Sequence, residues 1–246
     1  MEQIADRVWR MGSDMVSWYV LEDGGRLTAV DAGLRGFAST LEADLASIGF
    51  TTADVEAVVL THSDGDHTGV ARALQNAGAR VLVHADDHAT LNRPRLKGGD
   101  AGPRHVLANA WRPSLLQITF HVLRRAGGTP LAVKGVDTYA DGAVLDVPGG
   151  LRAVHTPGHT PGHCVLVAPE HRVLFAGDQL CTHPVLTGDG EPQLMPRYFN
   201  VDNDATLRAL DRVEPLDGQA DLICIGHGAP FGGGVGAALE SARQAA

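Results

Sequence analysis

Cysteine is scarce in this chain. There are three in 246 residues, and Cys164, Cys181 and Cys224 are too far apart for a CxxC pair. An odd number without that spacing suggests neither a disulfide framework nor a thiolate zinc site, and small buried apolar side chains are their expected role. Long apolar runs are missing as well. None approaches the roughly 20 residues that cross a bilayer, and the opening MEQIADRV lacks the apolar stretch of a secretory signal. A soluble, cytoplasmic protein with no transmembrane segment is expected. Basic residues are the minority, 20 Lys and Arg against 29 Asp and Glu, for a net charge of −9. The broad basic face that nucleic acid requires is therefore not available, and no nucleic-acid partner is expected.

Along the chain the periodicity alternates between strand and helix. SWYVLE and RLTAVDAG read as strands of a hairpin turning at Gly24-Gly25, and STLEADLASIGF as an amphipathic helix closed near Gly49. VEAVVLTH is a buried strand, TGVARALQNAGA a helix ending at Gly78, and RVLVHA a further strand. From Val136 onward the pattern turns to hairpins, AVLDVPGGLRAVHT and HCVLVAPEHRVLFAGD, with turns at Pro148-Gly149-Gly150 and Pro169-Glu170. NDATLRALDRV is a helix, DLICIGHG a strand, and a small-residue helix closes the sequence. No repeat, low-complexity tract or dividing linker interrupts it, so residues 1–246 read as one α/β domain.

Residues 86–130 break the rhythm with Pro94, Pro103, Pro113 and Gly98-Gly99, followed by the apolar SLLQITFHVLRRA. This stretch reads as an inserted helical flap. From Leu91 to Lys134 eight basic residues stand against the single acid Asp100, a local +7 in an acidic chain. Such a patch suits an anionic small-molecule substrate. The apolar body and basic ends of the 111–125 helix also suit peripheral contact with an anionic membrane, and the same face suits a contact within an oligomer.

The densest chemistry lies in THSDGDHTG, where His62, Asp64, Asp66 and His67 fall within six residues just after an apolar strand. Three further stretches deliver the same groups at strand ends: HTPGHTPGH with His155, His159 and His163, LFAGD with Asp178, and ICIGHG with His227. Imidazole nitrogen and carboxylate oxygen suit zinc, iron or manganese, and a catalytic site keeps a coordination position open. His155 and His163 read as loop-stabilising, Asp31 as a hydrogen-bonding brace, and His84, His88 and His183 as residues near the mouth.

These four ordered elements resemble the metallo-β-lactamase fold superfamily, in its glyoxalase II and lactonase-like branch. The HxHxDH motif appears here as His62-Ser63-Asp64-Gly65-Asp66-His67, with Asp64 where relatives usually carry histidine. The resemblance implies an αββα sandwich of two mixed sheets flanked by helices. It implies two divalent metals, one held by His62, Asp64 and His159 and the other by Asp66, His67 and His227, with Asp178 bridging. Zinc is the chief expectation, with manganese, iron or cobalt favoured by the harder oxygen of Asp64. The implied activity is hydrolysis of an ester, thioester or lactone by a shared hydroxide, with Asp66 as the catalytic residue that orients the nucleophile and moves its proton.

Departures from better-known members narrow the expectation. Only 19 residues follow His227, which argues against the glutathione-binding extension of a dedicated glutathione thioesterase. Lactonase-like members use a tyrosine after the bridging aspartate, and Tyr198 is the only tyrosine beyond Asp178. Two other classes share the ligand pattern: a mononuclear iron dioxygenase of the same fold and a non-catalytic metal-binding sensor. Oxygen uptake distinguishes the first from a hydrolase, and metal occupancy without turnover distinguishes the second.

Overall fold

The computed structural model describes residues 1–93, 131–183 and 190–246, together with 120, 121 and 124. The expected flap falls largely outside these residues, and its apolar helix lies outside them save for Phe120, His121 and Arg124. Among the described residues no helix is long and apolar enough to cross a membrane.

Among the described residues twelve strands form two sheets. The first runs in sequence order: β1 (Glu2–Ala5), β2 (Val8–Gly12), β3 (Ser17–Asp23), β4 (Arg26–Val30), β5 (Val55–Val59), β6 (Arg80–His84) and β7 (Asp137–Tyr139). β1 to β4 pair antiparallel, and β4 to β7 pair parallel. The second sheet has the order β12-β11-β10-β9-β8, built from β8 (Val144–Leu145), β9 (Leu151–His155), β10 (Cys164–Ala168), β11 (Val173–Gly177) and β12 (Leu222–Ile225). Its only parallel pair is β11 with β12. The β3–β4 hairpin turns at Gly24 and Gly25 with φ of +58° and +78°, the doubly left-handed backbone of a tight turn that glycine adopts without strain.

Strict alternation along the strands builds the layers. In β3, Trp18 and Val20 enter a core shared with Leu41, Leu45 and Leu74, while Tyr19 and Leu21 enter a second core shared with Leu166 and Phe175. In β10 and β11, Leu166 and Phe175 face that middle core, and Val165, Val167 and Leu174 face a third with Leu210, Leu239 and Ala242. Both sheets are thus buried on both faces, which is why the strands read as continuous apolar runs. The order of layers is helix, sheet, sheet, helix, the αββα sandwich that the family resemblance implies.

The outer layers are α1 (Leu41–Ala46), α2 (Ala71–Asn76) and α3 (His88–Asn92) on the first sheet side, and α4 (Asn203–Arg208), α5 (Leu210–Val213) and α6 (Gly234–Ala245) on the other. α4 starts where the Asp202 side chain accepts the Ala205 N–H at 2.8 Å. α6 buries Val235, Ala238, Leu239 and Ala242, one helical stripe. The helix expected over 39–50 spans only Leu41–Ala46, because residues 35–39 form a 3₁₀ turn before it and the chain turns over 47–49 into Gly49, whose φ is +86°. β1, β2 and β7 have no counterpart among the expected strands. The three cysteines are free and buried as expected, and burial pushes the Cys164 thiol up to about 12.

Candidate metal centre

The C-terminal ends of β4, β5, β9, β11 and β12 carry Asp31, the 61–69 loop, the 156–163 loop, Asp178 and His227. Asp31 is buried with φ of +60°, the left-handed region that a short aspartate tolerates better than most residues. Its carboxylate accepts Thr61 N–H at 2.8 Å and the Thr61 hydroxyl at 2.9 and 3.0 Å, and its Oδ2 lies 2.9 Å from His67 Nδ1. One carboxylate therefore holds both the start and the end of the THSDGDH loop.

The hydrogen bonds fix how each histidine is presented. A hydroxyl has one proton, and that of Thr61 goes to Asp31, so Thr61 Oγ1 accepts from His62 Nδ1 at 2.9 Å. His67 Nδ1 donates to Asp31, and His227 Nδ1 donates to the Met15 carbonyl at 2.7 Å. Asn200 gives its Nδ2 protons to Met195 O and Asn203 Oδ1, which leaves Asn200 Oδ1 to accept from His159 Nδ1 at 3.0 Å. All four rings are thus anchored through Nδ1–H and turn Nε2 inward.

Those inward nitrogens meet carboxylate oxygens. Asp178 Oδ2 lies 3.2 Å from His159 Nε2, 3.3 Å from His227 Nε2 and 3.9 Å from His62 Nε2, while Asp178 Oδ1 lies 3.1 Å from His67 Nε2. Asp64 Oδ2 is 3.1 Å from His159 Nε2 and 3.8 Å from His62 Nε2, and Asp66 Oδ2 is 3.5 Å from His227 Nε2. The seven residues fall into three overlapping triads, His62-Asp64-His159, His62-His67-Asp178 and Asp66-His67-His227, with ligand atoms in each within 4.8 Å of one another. Buried acceptors aimed at one another repel unless a proton or a cation lies between them. The donor set, nitrogen from four imidazoles and oxygen from three carboxylates, fits divalent first-row metals.

The electrostatics agree with that reading. Burial alone would push the Asp178 carboxyl up, but His227, His67 and His159 hold it well below the usual carboxylate range. Burial would lower His227, yet Asp178 and then Asp66 raise it to about 9, and His67 is raised in the same way by Asp178 and Asp31. Burial, and after it His67, push His62 well down. The side chains of Asp64 and Asp66 are 23% and 30% exposed, against 3% for Asp178. The centre therefore opens to solvent on the side of Asp64 and Asp66. Gly226 leaves room for this packing, since a Cβ there would stand 2.7 Å from both Asp178 Oδ1 and His67 Cε1.

Surrounding residues lock the loops together. Asp87 is buried and accepts Ser63 N–H at 2.9 Å, the Thr160 hydroxyl at 2.8 Å and Gly162 N–H at 2.8 Å, tying the His62 loop to the His159 loop. His163 Nε2 accepts the Asp178 N–H at 3.0 Å, so its Nδ1 carries the proton and donates to Thr156 Oγ1 at 2.9 Å. His163 is a loop-stabilising residue, and Asp31 is a hydrogen-bonding brace. His88 bonds Asn92 within α3, His183 N–H donates to the His227 carbonyl, and His84 stacks on His155 in a group that shares no residue with the seven. Asp87, Asn200 and Thr61 were not singled out by sequence reasoning. The pair Asp86-Asp87 at the end of β6 was a visible signal for the first, whereas nothing local marks Asn200.

Comparison with known proteins places this architecture. The model of the metallo-beta-lactamase superfamily matches residues 11–227. A probable metallo-hydrolase, YqjP of Bacillus subtilis, is 26% identical over 224 residues, covering 86% of this chain and 66% of that protein. A hydroxyacylglutathione hydrolase of Cupriavidus taiwanensis is 30% identical over 210 residues, 84% of this chain and 60% of its own length. The chain thus spans slightly under two thirds of the length of these relatives. The crystal structure of the metallo-beta-lactamase family protein TTHA1429 from Thermus thermophilus superposes with a TM-score of 0.67 at 27% identity, covering 98% of this chain and 79% of that one.

Proposed function

From the premise that this chain belongs to the metallo-β-lactamase superfamily of metallo-hydrolases, we propose that it hydrolyses an ester, thioester or lactone at a centre of two divalent ions. His62, Asp64 and His159 would hold one ion and Asp66, His67 and His227 the other, with the Asp178 carboxylate facing nitrogens of both groups. The single observation that carries this reading is the convergence of four Nε2 atoms and three carboxylates, each histidine anchored through its other nitrogen. Bound ions would supply Lewis acidity to the scissile carbonyl and make water a nucleophile near neutral pH. Two imidazole nitrogens and one carboxylate oxygen at each position suit zinc, and the oxygen of Asp64 extends the range to manganese, iron and cobalt.

The chain's own residues supply the rest. Asp66 faces the open side, where its carboxylate takes the proton of the attacking water and returns it to the leaving oxygen or sulfur. Asp178, buried and held ionised by three histidines, keeps negative charge at the centre of the site. The Asp31 and Asp87 hydrogen bonds fix the two ligand loops before substrate arrives, so little reorganisation is left for the reaction. Similarity to a hydroxyacylglutathione hydrolase favours the thioester within this class. The +7 stretch between Leu91 and Lys134 favours an acyl or leaving group that carries carboxylate or phosphate.

The test is a panel of thioesters, aryl esters and lactones assayed on protein stripped of metal and reloaded in turn with Zn(II), Mn(II), Fe(II) and Co(II). Metal-dependent turnover of at least one class supports the reading. Stoichiometric metal uptake with no turnover of any class, or oxygen consumption in its place, would overturn it.

A further inference from the structure

A second group of metal-ligating side chains shares no residue with the centre described above. His84 ends β6, Asp86 stands two residues later, and His155 ends β9 on the other sheet. One nitrogen or oxygen from each lies within 4.8 Å of the others. His84 is buried, His155 half-buried and the Asp86 side chain 58% exposed, so the group sits at the surface with one side open to water.

The hydrogen bonds again fix which ring nitrogens are free to ligate. His155 Nε2 lies 2.8 Å from the Pro161 carbonyl, which can only accept, so the proton is on Nε2 and the lone pair on Nδ1. A ligating histidine ordinarily donates its other N–H to a carbonyl or carboxylate in this way. His84 Nδ1 accepts the Asp86 N–H over a long 3.3 Å, which places its lone pair on Nδ1, and that nitrogen lies 3.7 Å from Asp86 Oδ2. Lone pair thus faces carboxylate, as in the main centre. Burial, then the neighbouring His155, lower the His84 pKa and favour its neutral form, the form that binds metal. The two rings are stacked, 4.2 Å between centroids and 9° between planes. Ligation by both needs one ring to tilt, at the cost of the stack and of the long bond to Asp86 N–H.

We propose that His84, Asp86 and His155 form a separate site for one first-row transition cation, zinc by its two-nitrogen, one-oxygen donor set, with water completing the coordination. Such an ion joins the end of β6 in the first sheet to the end of β9 in the second. The chain leaving β9 leads directly into the loop that carries His159, so the ion fastens the base of that loop.

The test is equilibrium dialysis of the full-length, chelator-stripped protein against graded Zn(II), with zinc counted by mass spectrometry, for the parent, Asp86→Asn and His155→Gln. Asp86 is exposed, so its variant alters the site without touching the core. The expected result is that the parent binds one equivalent beyond the main centre, and that each variant raises the dissociation constant of that equivalent at least ~10-fold. Co(II) titration should show the same loss as a missing step in visible absorbance. Equal zinc uptake and identical cobalt spectra in the parent and both variants would overturn the proposal. The readout is a difference between parent and variant, so it stands or falls independently of how many ions the seven-residue centre holds and of what that centre hydrolyses.

Discussion

Asp87→Ala should be among the most damaging substitutions in the molecule although the residue ligates nothing. Its carboxylate is 1% exposed and satisfies three donors, Ser63 N–H, the Thr160 hydroxyl and Gly162 N–H. Truncation leaves all three without that acceptor, and each buried donor so left costs about 1–3 kcal/mol. Local relaxation and water entry make the three costs less than additive, so about 3–5 kcal/mol is expected. In a protein of this size about 2–4 °C of melting temperature is lost per kcal/mol, which gives a fall of roughly 6–20 °C. Because the same carboxylate joins the His62 and His159 loops, metal affinity should fall with it by about 10–100-fold. Thermal melts followed by circular dichroism, with and without added Zn(II), and a chelator competition check both effects. A variant that melts within ~2 °C of the parent and binds zinc as tightly would refute the clamp and the reasoning from unsatisfied donors.

Asp178→Ala removes the carboxylate common to all four inward nitrogens and should cut turnover at least ~10²-fold at saturating metal, read by steady-state kinetics on the best substrate. Asn200→Leu removes the acceptor that holds His159 in its Nδ1–H form and should weaken metal binding about 10-fold, read by chelator competition. Asp64→His trades an oxygen for a nitrogen at the open side and should shift preference from manganese towards zinc, measured as the ratio of activities after reloading. In stripped protein His227 is raised to about 9 and His67 is raised in the same direction. Their protonation therefore stabilises that form fully below the ordinary histidine value, and the stabilisation is lost as pH rises through about 9. Metal uptake near pH 7 should accordingly release protons, measured by calorimetry in buffers of different ionisation enthalpy; a heat independent of buffer would contradict it.

Much of this fold was legible because its strands keep two apolar faces. Runs such as VEAVV and CVLVA are buried almost throughout, and turn glycines mark where they end, so β3 to β6 and β9 to β12 follow the expected order. β1, β2 and β7 escaped notice for a physical reason. β1 and β7 lie at the two edges of the first sheet and carry exposed polar residues such as Glu2, Gln3, Asp137 and Thr138, while β2 carries the buried but charged Arg10, so their apolar signal is weak. The candidate site was legible where its residues stand at strand ends in short motifs. Asp31 gave a hint by following an apolar strand. Asn200 and the Met15 carbonyl gave none, since each meets its histidine only through the tertiary fold, 41 and 212 positions away in the chain.

The most direct test of the dinuclear assignment is anomalous diffraction from crystals soaked in Mn(II) or Zn(II), recorded at the metal absorption edge. The account predicts two peaks roughly 3.5–4 Å apart. One should lie within ~2.0–2.5 Å of His62 Nε2, Asp64 and His159 Nε2, the other at the same range from Asp66, His67 Nε2 and His227 Nε2, with Asp178 reaching both. No peak among these residues at full loading, or one peak with the Asp64 oxygens well beyond ~2.5 Å from it, would contradict the assignment.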